Sequence, residues 1–385
     1  MKKVALFFLI MTGYAFSGCG EKITIPQPKG LFNVSAYKEA AQYDDIPDPR
    51  QLILHQGSVF LLNETTLSKR DQYLLEMVSV TGFGNPTALC VMPETGLIFV
   101  YDEANSTVSM YQANDLLPMG SVSVPEVQSV VSMVTQNSGI ELVTDGITFL
   151  YLSDPIAGVI HRYGVTIDLD LVPFGVLATG GGQSARFVHQ PAGLARDMEG
   201  KLLVCEADLQ RNWVIRFDST PDLEDTTPDP DDIDPMRGLV FPFRQLECVT
   251  QPTAAYVLGD APGCDETSWE GAPSDAEGEF AGPQGAAVDG SGRTFVADTE
   301  NNRVQIFSSG LDGEEGGIYN FGFVIDGETP RRPVGISVLD RQLSPTQFYY
   351  AAYVYIVVPD DGMIYKFISA EEFEARNPGT PFIDQ

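Results

Sequence analysis

The feature that most limits the fold of this chain is a recurring set of short apolar runs split by Gly, Asn and Asp. Its clearest copy is Pro283-Gln-Gly-Ala-Ala-Val-Asp289-Gly-Ser-Gly292-Arg-Thr-Phe-Val-Ala-Asp298-Thr-Glu-Asn301-Asn302-Arg303-Val-Gln-Ile-Phe307. Gly285–Val288, Thr294–Ala297 and Val304–Phe307 are each too short for a helix and rich in strand formers. The turns at Asp289–Gly292 and Asp298–Asn302 hold the residues that tolerate left-handed backbone. The unit reads as a three-stranded meander. One such meander cannot bury both faces, so it needs neighbours of the same kind.

The neighbours are in the sequence. Pro191-Ala-Gly-Leu-Ala-Arg-Asp197 is followed by Leu202–Cys205, Glu206 and Val214–Phe217, and Pro86 by Leu97–Asp102 and Val108–Tyr111. Weaker copies start near Pro49, Val130 and Pro333, which makes six. Residues 283–307 strongly resemble an NHL repeat, and the Pro191 and Pro86 copies resemble it moderately. That resemblance implies an all-β fold, a six-bladed β-propeller with four-stranded antiparallel blades, over residues 49–369. Candidate fourth strands are Leu74–Val80, Ser121–Val124, Val172–Leu177, Ala254–Leu258 and Tyr319–Ile325. Nothing after Phe367 supplies one to the last blade. A strand around Leu31–Val34 is therefore expected to close the ring and remove the free edge. Residues 370–385 remain as a C-terminal tail.

Two long connections interrupt the repeats, at about 219–252 and 259–282. Residues 219–236 hold seven acids and four prolines without a base, and residues 260–279 hold seven acids without a base. The first falls between strands three and four of blade four, the second between blades four and five. Such connections emerge at opposite ends of a propeller. In the second, Trp269 and Phe280 stand among carboxylates, a composition that suits contact with a sugar or a basic peptide. The alternative is that Trp269 only pins the loop to its blade.

At the start, Lys2 and Lys3 precede an apolar run that ends in Phe16-Ser17-Gly18-Cys19. This pattern reads as a secretory signal over residues 1–18, too short for the roughly 20 residues of a membrane span. Its last four residues resemble the bacterial lipobox, which implies that Cys19 is acylated (palmitate-type chains) and becomes the new N-terminus. An ordinary signal cut near Ser17 would leave Cys19 without a role. Gly20 after the Cys implies, by the same resemblance, the outer membrane. Residues 19–48 then read as a tether. The 23 basic and 53 acidic side chains give a net charge of −30. Such a chain has no bulk attraction for nucleic acid or anionic lipid.

Chemistry-bearing patterns are few. Asp298, Asn301, Asn302 and Arg303 form a polar turn that Glu206 and Arg211 repeat in blade four. Recurrence argues for scaffolding, because a catalytic group is needed once. Gly180-Gly181-Gly182 lacks the Lys and Ser/Thr of a phosphate loop and reads as a linker. His55, His161 and His189 fall at three different places in the repeat, so they do not form a metal triad. Asp229–Asp234 lacks the glycine and distal Glu of a calcium loop, although a carboxylate calcium site remains open. Cys90 and Cys205 suit buried strands. Cys248 and Cys264 could pair in an oxidising compartment, provided residues 259–264 fold back along the intervening strand. The reading that follows is a lipid-anchored envelope propeller, without metal or cofactor, that binds a protein or glycan partner. The competing reading is a propeller hydrolase or lyase with a carboxylate-bound metal in its channel.

Overall fold

The computed structural model describes residues 36–137, 148–177, 189–198, 200, 202–208, 212–217, 257–258, 273–308, 318–325, 331–341, 350–378 and 382. Among them, six antiparallel four-stranded sheets follow one another along the chain. Blade one holds β2–β5 (Gln51–His55, Ser58–Leu62, Thr66–Arg70, Glu76–Thr81) and blade two β6–β9 (Pro86–Met92, Leu97–Asp102, Thr107–Gln112, Pro118–Ser123). Blade three holds β10–β13 (Ser132–Asn137, Thr148–Asp154, Val159–Val165, Leu171–Leu177). Blade four holds β14–β17 (Pro191–Arg196, Leu202–Glu206, Trp213–Phe217, Val257–Leu258). Blade five holds β18–β21 (Pro283–Val288, Thr294–Asp298, Arg303–Ser308, Ile318–Val324). Blade six holds β22–β24 (Gly335–Arg341, Tyr350–Val358, Met363–Ser369) and takes β1 (Tyr37–Tyr43) as its outer strand. Five sheets have full-length outer strands; β17 of blade four has only two residues.

The first strands lie side by side in the cyclic order β2, β6, β10, β14, β18, β22 and back to β2. The fold is thus an all-β propeller around an axial channel. The ring closes by mixing the two ends of the chain, with β1 antiparallel to β24 from Tyr37↔Ser369 to Tyr43↔Ile364. Residues 31–34, around which the sequence placed this strand, lie outside the described residues. Tyr37 anchors the closure: its ring is 4% exposed, stacks within 6.1 Å of Phe321 and donates to the Ala351 carbonyl at 2.9 Å. Beyond β24 a short helix, α1 (Ala370–Arg376), is capped by Ser369, which accepts the Glu372 N–H. It occupies the first half of the expected tail.

Apolar residues pack between neighbouring blades. Phe60 and Leu62 of blade one meet Leu89 and Val100 of blade two, and Tyr101 and Met110 of blade two meet Leu150 and Leu152 of blade three. The inner strands approach so closely that two of them require glycine. A Cβ on Gly193 would overlap the Gln284 carbonyl, and one on Gly285 would overlap the Val334 carbonyl. Left-handed residues mark the outer turns. Ser106, Asn212 and Asn302 have φ of 48 ± 1° or 55° just before the third strand of blades two, four and five. Leu74, Leu116 and Leu169 take φ of 60°, 57° and 63° in the turn before the fourth strand. A branched side chain in that region costs about 1–2 kcal/mol, so burial of Leu74 and Leu116 must outweigh it. This conformation also explains why β5 begins at Glu76 rather than at Leu74. Gly285→Ala is expected to lower stability by roughly 1–3 kcal/mol in chemical denaturation, since backbone cannot retreat as a side chain can.

Candidate functional site

The polar turn of blade five is a clamp. Asp298 is fully buried at the end of β19 and accepts the Ala281 N–H at 2.8 Å. Its Oδ2 also takes Asn301 Nδ2 at 2.9 Å, Arg303 Nε at 2.6 Å and Gln305 Nε2 at 3.0 Å. Arg303 in turn donates to the carbonyls of Asp275, Ala276 and Glu279, and Asn301 to that of Ser274. The chain that enters blade five is therefore held by side chains from its second turn. Asn302 supplies the left-handed residue, and its carbonyl accepts the Ile325 N–H at 3.0 Å.

The same carboxylate recurs at the end of the second strand in blades two, three and four. Asp102 accepts the N–H groups of Gly84 and Asn85, and Asp154 those of Gln128 and Ala157. Glu206 accepts those of His189 and Gln190. All three are buried. Burial alone would raise the Asp102 carboxyl, but the N–H bonds of Gly84 and Asn85 outweigh it and hold it below its ordinary value. In sequence Asp102 and Asp154 read only as strand ends; aligning the repeats on the residue after the second strand reveals their role. Arg303→Ala should cost roughly 1–3 kcal/mol in urea unfolding, and Asp298→Ala roughly 2–5 kcal/mol, because it leaves the buried Ala281 N–H and Gln305 amide without that acceptor.

Other expected site residues are dispersed. Phe280 was expected at a contact surface, but it is 1% exposed and packs 5.5 Å from Phe307 with Ala195, Cys205 and Val214. Its ring fills the gap between blades four and five, which removes it from any surface. Cys19, Arg211, Cys248, Cys264 and Trp269 lie outside the described residues. Cys90 and Cys205 are buried free thiols whose pKa burial pushes up. The histidines occupy separate places: His161 Nε2 lies 3.4 Å from Asp154, His189 Nδ1 pairs with Asp208, and His55 lines a cavity of about 800 Å³ between blades one, two and three.

The axial channel is a cavity of about 510 Å³ lined by all six first strands. Its walls mix apolar side chains such as Cys90, Met133, Ala192, Ala286 and Ile336 with Gln51, Ser132, Thr135 and Gln284, and Arg50 and Gln190 stand at one end with Arg196 at the other. Near one mouth lies a buried charge cluster that the sequence did not disclose. Asp289 binds Arg293 at 2.7 Å, and Asp340 from blade six accepts the Gly290 N–H at 2.9 Å while its Oδ1 has no hydrogen-bond partner among the described residues. Burial, reinforced by Asp289, pushes the Asp340 carboxyl up to about 7. A carboxyl raised in the folded state binds more protons there than in the unfolded chain between about pH 4 and 7. Its contribution therefore weakens as pH rises through that window. Asp340→Asn should raise the melting temperature at pH 7.5 and leave it nearly unchanged at pH 4, as scanning calorimetry would read.

Comparison with known proteins agrees with this arrangement. Residues 280–307 match the NHL repeat family, the span that forms the first three strands of blade five. Together with the six sheets, this defines an NHL-like β-propeller. No curated protein matches the chain. Among solved structures, it is similar to Kuenenia stuttgartiensis hydrazine synthase at 12% identity and TM-score 0.49, over 85% of this chain and 97% of that one. It is similar to a streptogramin B lyase at 11% identity and TM-score 0.48, over 87% and 97%. It is also similar to virginiamycin B lyase from Staphylococcus aureus at 11% identity and TM-score 0.44, over 86% and 98%. None of these likenesses bears on the chemistry of this chain.

Proposed function

We propose that this protein is a lipid-anchored component of a bacterial envelope whose NHL-like propeller binds a protein or glycan partner without transforming it. The observation that supports this reading is the fate of the repeated carboxylates. A propeller that used them on a ligand would leave them free, whereas Asp102, Asp154, Glu206 and Asp298 each hold backbone N–H groups of the preceding connection. What remains for a ligand is surface and loop chemistry.

Cys19 is the anchor in this reading, placed in the outer membrane by Gly20. The partner contact falls on the acidic connection that carries Trp269, with its ring as the apolar element and Asp265, Glu266 and Glu270 beside it. A basic or hydroxyl-rich partner fits that composition, and the net charge of −30 would speed encounter with a cationic one.

Two measurements test the reading. Cys19→Ser should release the protein from membranes or leave it unprocessed, as fractionation reads; a correctly cleaved variant that stays bound ends the anchor assignment. Purified protein should carry no stoichiometric metal after dialysis, and should retain from gently solubilised envelopes a partner that Trp269→Ala loses without a change in melting temperature. A tightly held metal whose removal abolishes turnover would replace binding with catalysis.

A further inference from the structure

Successive strands in each blade are antiparallel, so the turns between strands one and two share one end of the ring with those between strands three and four. At that end, three consecutive blades expose apolar side chains at the tips of their last turns. Leu75 is 67% exposed in blade one, Leu117 53% in blade two and Ile167 88% in blade three. Tyr73, Met77 and Met119 are exposed beside them. Single exposed apolar residues are ordinary, but four in the turns of adjacent blades, with Met77 and Met119 on the strands that follow, form a surface, and Asp168 and Asp170 are exposed beside Ile167.

The backbone enforces this display. Leu74 and Leu116 take left-handed φ and turn into the core, which leaves Leu75 and Leu117 pointing outward. Asp71 Oδ1 accepts the N–H groups of Tyr73 and Leu75, and Asp115 Oδ1 accepts that of Leu117, so both carboxylates are tied back to their own turns. Met119, Ile167, Leu169 and Phe174 line the cavity of about 800 Å³ that opens among these turns.

The described chain begins at the same end. Tyr37 pairs with Ser369, and Ala36 accepts the Ala370 N–H, at the end of β24 remote from its turn at Pro359–Asp361. Gln72, in the turn of blade one, accepts Lys366 Nζ at 2.7 Å and Arg341 Nη2 at 3.1 Å, which fixes that turn beside blade six. The opposite end presents Glu103, Glu300, Asp360 and Asp361 at its turns, and its exposed apolar side chains, Val131, Ile156 and Val324, are confined to blades three and five rather than carried on successive turns.

We infer that the apolar end of blades one to three is a membrane-contact face, with Tyr73, Leu75, Met77, Leu117, Met119 and Ile167 entering the boundary between headgroups and acyl chains. The inference rests on the envelope-anchored reading above. The acidic end faces the aqueous side, where it stays available to a partner. Because the chain is acidic, the contact is apolar, and zwitterionic lipid suits it better than anionic lipid.

The test is amide hydrogen exchange on the full anchored protein bound to phosphatidylcholine vesicles, compared with the same protein in solution. Amides of residues 71–77, 113–119 and 166–170 should slow by about threefold or more, with the turns at 103–106 and 299–302 unchanged. The triple variant Leu75→Glu, Leu117→Glu, Ile167→Glu should lose that protection while keeping its melting temperature. Equal exchange at both ends, protection of the acidic end, or protection that survives the triple variant would overturn the face. Intact-mass analysis of wild type separates the two readings: if Cys19 carries no acyl mass yet the three turns are protected, the anchor fails and the face stands; if the acylated protein is retained with those turns unprotected, the face fails and the anchor stands.

Discussion

A buried carboxylate at the end of the second strand is the interaction on which this propeller depends. A meander forms locally, but the direction in which the chain enters the next meander is not set by strand pairing. Asp102, Asp154, Glu206 and Asp298 set it by accepting N–H groups of the incoming connection from inside the blade. Leaving such donors unpaired in the interior would cost about 1–3 kcal/mol each, so the carboxylate selects one path for the connection. Bonds between blades then become possible. Thr87 reaches the Val130 carbonyl, Ser132 receives the Leu194 N–H, Asn212 receives the Gly282 N–H and Thr299 reaches the Pro333 carbonyl.

Close approach at the axis is the second constraint, and it acts against side-chain volume. The contacts of Gly193 with Gln284 and of Gly285 with Val334 leave no room for a Cβ. Blade two has Ala88 at the same place, so tightness is uneven around the ring. The outer edge has the opposite problem, an unpaired strand. Joining β1 to β24 covers that edge of blade six with residues far apart in sequence.

Legibility followed sequence separation. Asp298, Asn302 and Arg303 were readable because they stand at fixed offsets in a unit that recurs, and the turn can be inferred without knowing what lies across from it. Asp340 was not, since its neighbours Asp289 and Gly290 come from another blade and no local pattern marks a buried acid. Phe280 was misread for a related reason. Among carboxylates in a long connection an aromatic ring resembles a contact residue, yet Phe307 and Val214, from two different blades, define the socket it fills. Leu74 shows the limit of propensity: a leucine before a strand extends it on paper, but left-handed backbone and a buried side chain end the turn one residue later.

The carboxylate clamp also bears on how the acid content of the chain is distributed. Acids at the ends of second strands are buried and neutralised by N–H dipoles or by Arg303, so they add little outward field. Glu103 and Glu300, which remain outside at the clamp end, sit on the turns just beyond buried Asp102 and Asp298. At the other end, Asp71 and Asp115 are tied to their own turns and frame exposed leucines. Carboxylates that satisfy backbone N–H groups thus serve at both ends, beside polar residues such as Glu103 at one and beside exposed leucines at the other.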